Sequence, residues 1–336
     1  MSFESRKFAS IALAVWSISF GAVYLGLGLT KGHSSEYPDR RVTLVVPFPA
    51  GGSADYFARV VSSKFQEKTK SVVVIENKPG GSGILGTKHV IASKPDGYTL
   101  LVTSVASANI PPKFSTPPAF DVMKDLKPIT GLGTVPAVLV VRPGLGIKTF
   151  AQLIDYAKKN PGRLNMASSG TGTIAHLAGE LLMKEADVKF THVPYRGAPP
   201  AVTDLLGEHA DIMFSDAPFF LSYIKDGRLI ALAVGSHERA PSLPDVPTTT
   251  ELGFPKVLAA NTYGLFAAAK TPPDVVEKLS RVVLEILAED STKKAFAVQE
   301  ATTAGQTPDG YAAFVVEDRD RWVPLAKERG VFSQPQ

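Results

Sequence analysis

From residue 36 onward, short apolar runs alternate with stretches whose apolar residues recur at three- and four-residue spacing. The runs predict strands at Val42–Val46, Val72–Ile75, Thr99–Val102, Ala137–Val141, Leu164–Met166, Phe190–Val193, Ile212–Phe214, Leu229–Val234 and Gly264–Ala267. The helical spacing predicts helices at Ala54–Thr69, Ile84–Ala92, Thr149–Asn160, Ile174–Glu185, Ala198–Leu206, Pro218–Asp226, Pro273–Glu289 and Pro308–Arg329. Turn chemistry punctuates the pattern: Pro95–Gly97 precedes a strand, and Lys159 to Gly162 closes a helix before another. Pro111 to Pro118 is proline-dense and reads as irregular. Strand and helix alternating in this way argue for an α/β fold with mostly parallel strands.

Two strand-to-helix junctions look like one device built twice. Val42 to Val46 runs through Phe48 and Ala50 into Gly51, Gly52, Ser53 and Asp55, where a helix begins. Leu164 to Ala167 runs into Ser168, Ser169, Gly170, Thr171, Gly172 and Thr173, where another begins. Glycines let backbone N–H groups crowd together, and the first turn of a helix leaves such donors unpaired at the positive end of its dipole. Each junction is therefore a cradle for an anion. Together they suggest a cleft that grips a small carboxylate.

The ends and the composition narrow the setting. Arg6 and Lys7 precede an uncharged stretch from Phe8 to Leu29, the pattern of a secretory signal or of a retained N-terminal anchor. A signal would end near residue 34, and either reading exports the body. With no cysteine there is no disulfide, thiolate metal site or cysteine nucleophile. A net charge of +4 with interspersed signs, and no basic run with interleaved aromatics, argues against nucleic acid as a partner.

Other motifs carry plainer readings. Gly81 to Gly86 has dinucleotide-loop spacing, yet residues 76–80 separate it from the preceding strand, so it reads as a structural loop bordering the cleft. His176 and Glu180 share a helix face without a further ligand cluster, which favours a buried or capping histidine over a metal site. Ser53, Ser168 and Ser169 lack the surroundings of a nucleophile and read as helix caps or ligand hydrogen bonds. Asp55 is either a ligand contact or an ordinary first-turn acid. Asp216 is either an acceptor for a polar ligand group or a helix cap, and Phe48 and Tyr195 either line the pocket or simply pack.

These stretches resemble the extracytoplasmic solute receptors of tripartite tricarboxylate transporters, the Bug family. The resemblance is carried by Val45 to Asp55, Glu76 to Gly83, Pro95 to Leu101, Ala167 to Glu180, His192 to Gly197, Asp204 to Gly207 and Leu243 to Thr248, in the family's order. It implies a type II periplasmic-binding-protein fold: two α/β lobes joined by two crossing strands, with the cleft between them. The expected lobes are residues 36–138 plus 262–336, and residues 139–261. It also implies a receptor rather than an enzyme, without a cofactor, that holds a carboxylate by backbone donors and bridging waters. Such a receptor hands its ligand to membrane permease subunits, and a monomer is expected. A binding protein serving a membrane sensor kinase, or an exported hydrolase, is the alternative. Two departures stand out. Ala267 to Pro272 has an altered turn, and the loop Asn109–Phe120 has an unusual proline-rich core that bears on ligand identity.

Overall fold

The computed structural model describes residues 37–333. The basic start and apolar stretch of residues 1–34 lie outside the described residues.

Ten strands form the sheet: β1 (Val42–Val46), β2 (Val73–Asn77), β3 (Thr99–Ser104), β4 (Leu126–Val141), β5 (Asn165–Ser168), β6 (Thr191–Pro194), β7 (Ile212–Asp216), β8 (Ile230–Val234), β9 (Ala260–Ala268) and β10 (Thr302–Thr303). Their path is β2-β1-β3-β9-β4-β7-β5-β6, with β8 and β10 also paired to β4. The ladders β1–β2, β1–β3, β5–β6 and β5–β7 are parallel, as the alternating pattern predicts. Every ladder made by β4 or β9 is antiparallel, which corrects the expectation of a mostly parallel sheet. The reason is topological. These strands arrive by long excursions rather than by the strand–helix–strand crossover that enforces parallel pairing.

β4 is the spine. Residues 126–136 pair with β9, Ala137–Val141 with β7 and Val138–Val141 also with β8. Alternate residues of that second half serve two cores. Ala137, Leu139 and Val141 pack with Leu153, Leu182 and Phe214, whereas Val138 and Val140 pack with Ala201, Leu205 and Phe220. Strand alternation thus buries both faces, as expected of a sheet covered by helices on each side.

The predicted helices form with shifts of a residue or two at their ends. The exception is the Pro218–Asp226 helix, which splits into a short turn at Ala217–Phe219 and a helix at Leu221–Lys225. Thr149 starts the helix Phe150–Lys159 with a capping box to Gln152. The proline-dense stretch is not wholly irregular: Pro111–Phe114 closes one helical turn. Prolines are tolerated there because the first turn has no N–H to lose.

Candidate ligand-binding site

The parallel strands β1, β5, β6 and β7 end at the same place, and the residues just past their C-terminal ends build the site. In open α/β sheets this is where ligands sit, because the helices that follow begin there. Three helix starts converge on a small inner cavity: Gly52 before Ser53–Thr69, Thr173 before Ile174–Ala186, and Gly197 before Ala198–Leu206. None is capped by a side chain. The leading N–H groups of the first two starts, and that of Ala198 in the third (where Pro199 and Pro200 have none), are the donors at hand, and the three dipoles present partial positive charge to one space. Ser104, Ser107, Ser215 and Asn261 complete the polar lining.

Beyond it opens an outer recess of about 440 Å³, bordered by the loops at Gly80–Gly83, Ser169–Thr171 and Pro194–Gly197. Phe48 and Ser169 line both spaces. Loops distant in sequence meet here. A Cβ on Gly170 would stand 2.6 Å from Ser82 Oγ, and one on Gly197 would stand 2.7 Å from Pro49 Cδ.

Asp216 forms the floor of the inner cavity. Its buried carboxylate accepts from Ser53 Oγ at 2.7 Å, Tyr263 Oη at 2.6 Å and Asn261 Nδ2 at 3.2 Å. Burial raises its pKa above the ordinary carboxylate value, against the pull of these bonds. Ser53 follows β1, Asp216 ends β7, and Asn261 and Tyr263 lie on β9, so one carboxylate ties two strands on either side of β9 to it.

Several predicted residues stand elsewhere. Ala50 and Gly51 are exposed and border neither space. Asp55 is turned away to brace the first loop: it accepts from Gly51 N–H, from Asn77 Nδ2, and from Arg59 Nε at 2.8 Å. Burial pushes its carboxyl up, but those bonds outweigh burial and hold it below the ordinary value. Ser168 is fully buried, its hydroxyl 2.6 Å from His192 Nε2. Gly172 donates its N–H to His176 Nδ1 at 3.2 Å. Gly52, Ser53, Thr173 and Asp216 line the inner cavity, Gly170, Thr171 and Tyr195 the outer recess. The Tyr195 hydroxyl donates to Asp204, and burial followed by that bond pushes its pKa up to about 12.

The residues not foreseen are Asn261 and Tyr263, Ser104 and Ser107 at and just past the end of β3, Ser215 on β7, and the start at Gly197. The last had a readable signal: a strand, a glycine and a helical pattern, as in the other two junctions.

His176 and His192 stack behind the second cradle, with centroids 3.5 Å apart and planes 8° from parallel. Because His176 Nδ1 accepts from Gly172, its neutral proton sits on Nε2, 3.4 Å from Glu180 Oε1. Glu180 in turn accepts from Arg329 Nε at 2.8 Å. These groups brace the loop; among the described residues no cluster is placed to hold a metal ion. Burial, then the neighbouring His176, pushes His192 down to about 3. Its neutral form therefore contributes stability that is complete above the unfolded value near 6.5 and is lost as pH falls toward 3. Acidification from pH 7 to pH 5 should cost about 2 kcal/mol through this group. Denaturant midpoints across that range should fall less steeply for His192→Gln, and parallel slopes would count against the assignment.

A cleft at the strand ends, lined by helix starts, is the architecture of a solute-binding protein of the periplasmic class. Residues 57–331 match the family described as the tripartite tricarboxylate transporter family receptor, TctC. The chain belongs to that family, one of receptors and not of enzymes. It is 36% identical over 296 residues to Protein BugT of Bordetella pertussis, covering 88% of this chain and 90% of that protein. Among solved structures it is similar to R. palustris Rpa4515 with adipate: 30% identity, TM-score 0.84, covering 88% of this chain and 98% of the other. It is also similar to MatC from Rhodopseudomonas palustris with bound malate, at 29% identity and TM-score 0.80, covering 86% and 99% of the two chains.

Proposed function

We propose that this protein captures a small carboxylate outside the cytoplasm and delivers it to the permease subunits of a tripartite transporter, acting as a monomer. The observation that carries the reading is the convergence of three uncapped helix starts on one buried, hydroxyl-lined cavity. Such a space favours an anion without holding a fixed cation, and a carboxylate is the anion found in the two similar structures. The N-terminal segment serves export, whether cleaved near residue 34 or retained. Residues 36–138 with 262–336 form one lobe and residues 139–261 the other. In this reading β4 and β9 cross between them, and the close approach of Ser82 to Gly170 and of Pro49 to Gly197 supports a closed cleft.

Calorimetric titration tests the reading directly. Small mono- and dicarboxylates should bind, whereas neutral sugars and cations should not; the reverse would sink it. With a bound acid present, small-angle scattering should give a smaller radius of gyration than without, because only the closed form lets one ligand use donors from both lobes. An unchanged radius with a bound acid would count against the hinge.

A further inference from the structure

The outer recess is walled by aromatic rings. Phe114 and Phe332 stack face to face, with centroids 4.6 Å apart and planes 9° from parallel, and both line the recess. They come from distant parts of the chain: Phe114 ends the turn Pro111–Phe114, and Phe332 follows the helix Pro308–Glu328. This wall abuts the second cradle. A Cβ on Gly172 would stand 2.5 Å from Phe332 Cζ, so the glycine leaves the space that the ring fills. Elsewhere in the recess stand Phe48 and Tyr195, the latter with its hydroxyl engaged by Asp204. Among the described residues, Arg196 is the one charged side chain lining the recess.

We propose that the receptor is selective for an aromatic carboxylate, with its carboxylate at the helix starts and its ring in the outer recess against Phe48 and the Phe114–Phe332 pair. This rests on the carboxylate reading above and narrows it. Aromatic rings prefer offset-stacked or edge-to-face partners and gain more from them than from area burial alone. A flexible aliphatic diacid surrenders rotamer freedom on entering the same space and brings a second charge for which the recess offers a single cation, Arg196. An amino acid would bring an ammonium. The recess lining carries no carboxylate to accept it, and Asp216 in the inner cavity already accepts from Ser53, Asn261 and Tyr263.

The experiment compares benzoate with adipate by calorimetry on the purified protein and on Phe114→Leu and Phe332→Leu variants. Benzoate should bind about tenfold more tightly than adipate, and each variant should lower benzoate affinity by about tenfold while moving adipate by less than about twofold. The ratio of the two affinities within one preparation does not depend on the fraction of protein that is folded, so a destabilised variant still reports. Adipate binding more tightly than benzoate would overturn the selectivity and leave the carboxylate reading intact. Equal losses for both acids would overturn it too, making the pair a structural brace. If neither these acids nor a wider set of carboxylates binds, both readings fall together.

Discussion

Gly170→Val should abolish detectable ligand binding while the protein still folds. Gly170 holds φ at +136°, a region that side-chain-bearing residues rarely enter and a β-branched one enters least. Its carbonyl accepts from Thr173 Oγ1 at 2.7 Å, and its N–H donates to Ser168 Oγ at 3.2 Å, so this backbone geometry shapes the second cradle. A new Cβ would also meet Ser82 Oγ at 2.6 Å. Serine can rotate aside, so the steric part is recoverable; the dihedral strain, about 1–3 kcal/mol, is not. Relieving that strain re-aims the neighbouring N–H groups, and two lost charge-assisted hydrogen bonds lower affinity by about a hundredfold or more. Gly146→Val is the control. Gly146 also sits at positive φ (+69°), but in open space and bordering neither cavity, so it should lower the melting temperature with affinity unchanged. If both variants lose stability alike and both still bind, Gly170 is only a turn. Gly52 differs from both: its φ is −83° and its nearest neighbour would be Pro49 O at 3.6 Å, so a side chain there is limited only by the ligand.

Why some of this was legible in the chain and some was not follows from what the residues do. The junctions at Gly52 and Thr173 were readable because a helix start needs small residues and a pattern change, and both leave marks in sequence. The length of β4 was not. Only Ala137–Val141 reads as a strand, since Pro128, Gly131, Gly133 and Pro136 look like turn punctuation. In the fold, the register shifts between Pro128 and Thr130 and between Gly131 and Gly133 absorb the breaks. Those glycines serve close approach rather than a turn: a Cβ on Gly131 would strike Gln306, and one on Gly133 would strike Phe57. β9 was truncated for a related reason. Its first residues, Ala260 to Tyr263, are mostly polar, and two of them, Asn261 and Tyr263, bond to Asp216. A polar cluster in which Asp216 bonds to partners 45, 47 and 163 positions away leaves no local pattern to find. The helix Asp290–Ala297 and the two-residue β10 were missed because eight charged-rich residues and a single pair of threonines carry too little periodicity.

That same cluster yields the largest expected loss of stability. Asp216→Ala removes the acceptor for Ser53 Oγ, Tyr263 Oη and Asn261 Nδ2, all in buried surroundings. Each donor left unpaired costs about 1–3 kcal/mol. Against this stands relief of the buried carboxylate, whose raised pKa shows that its charge is itself held at a cost. The net should be a loss of about 2–4 kcal/mol in denaturant unfolding, with the slope unchanged. Asp216→Asn should lose less than Asp216→Ala. Its carbonyl oxygen can still accept from Asn261, and its amide can donate to the hydroxyls of Ser53 and Tyr263, which accept as readily as they donate. The ordering of the two variants decides what the residue is. If alanine costs no more than asparagine, water fills the space and satisfies the donors, and the carboxylate is not the tie between β1, β7 and β9. If alanine costs more, ligand affinity should fall with it, because Ser53, released from Asp216, no longer fixes the start of the helix that faces the inner cavity.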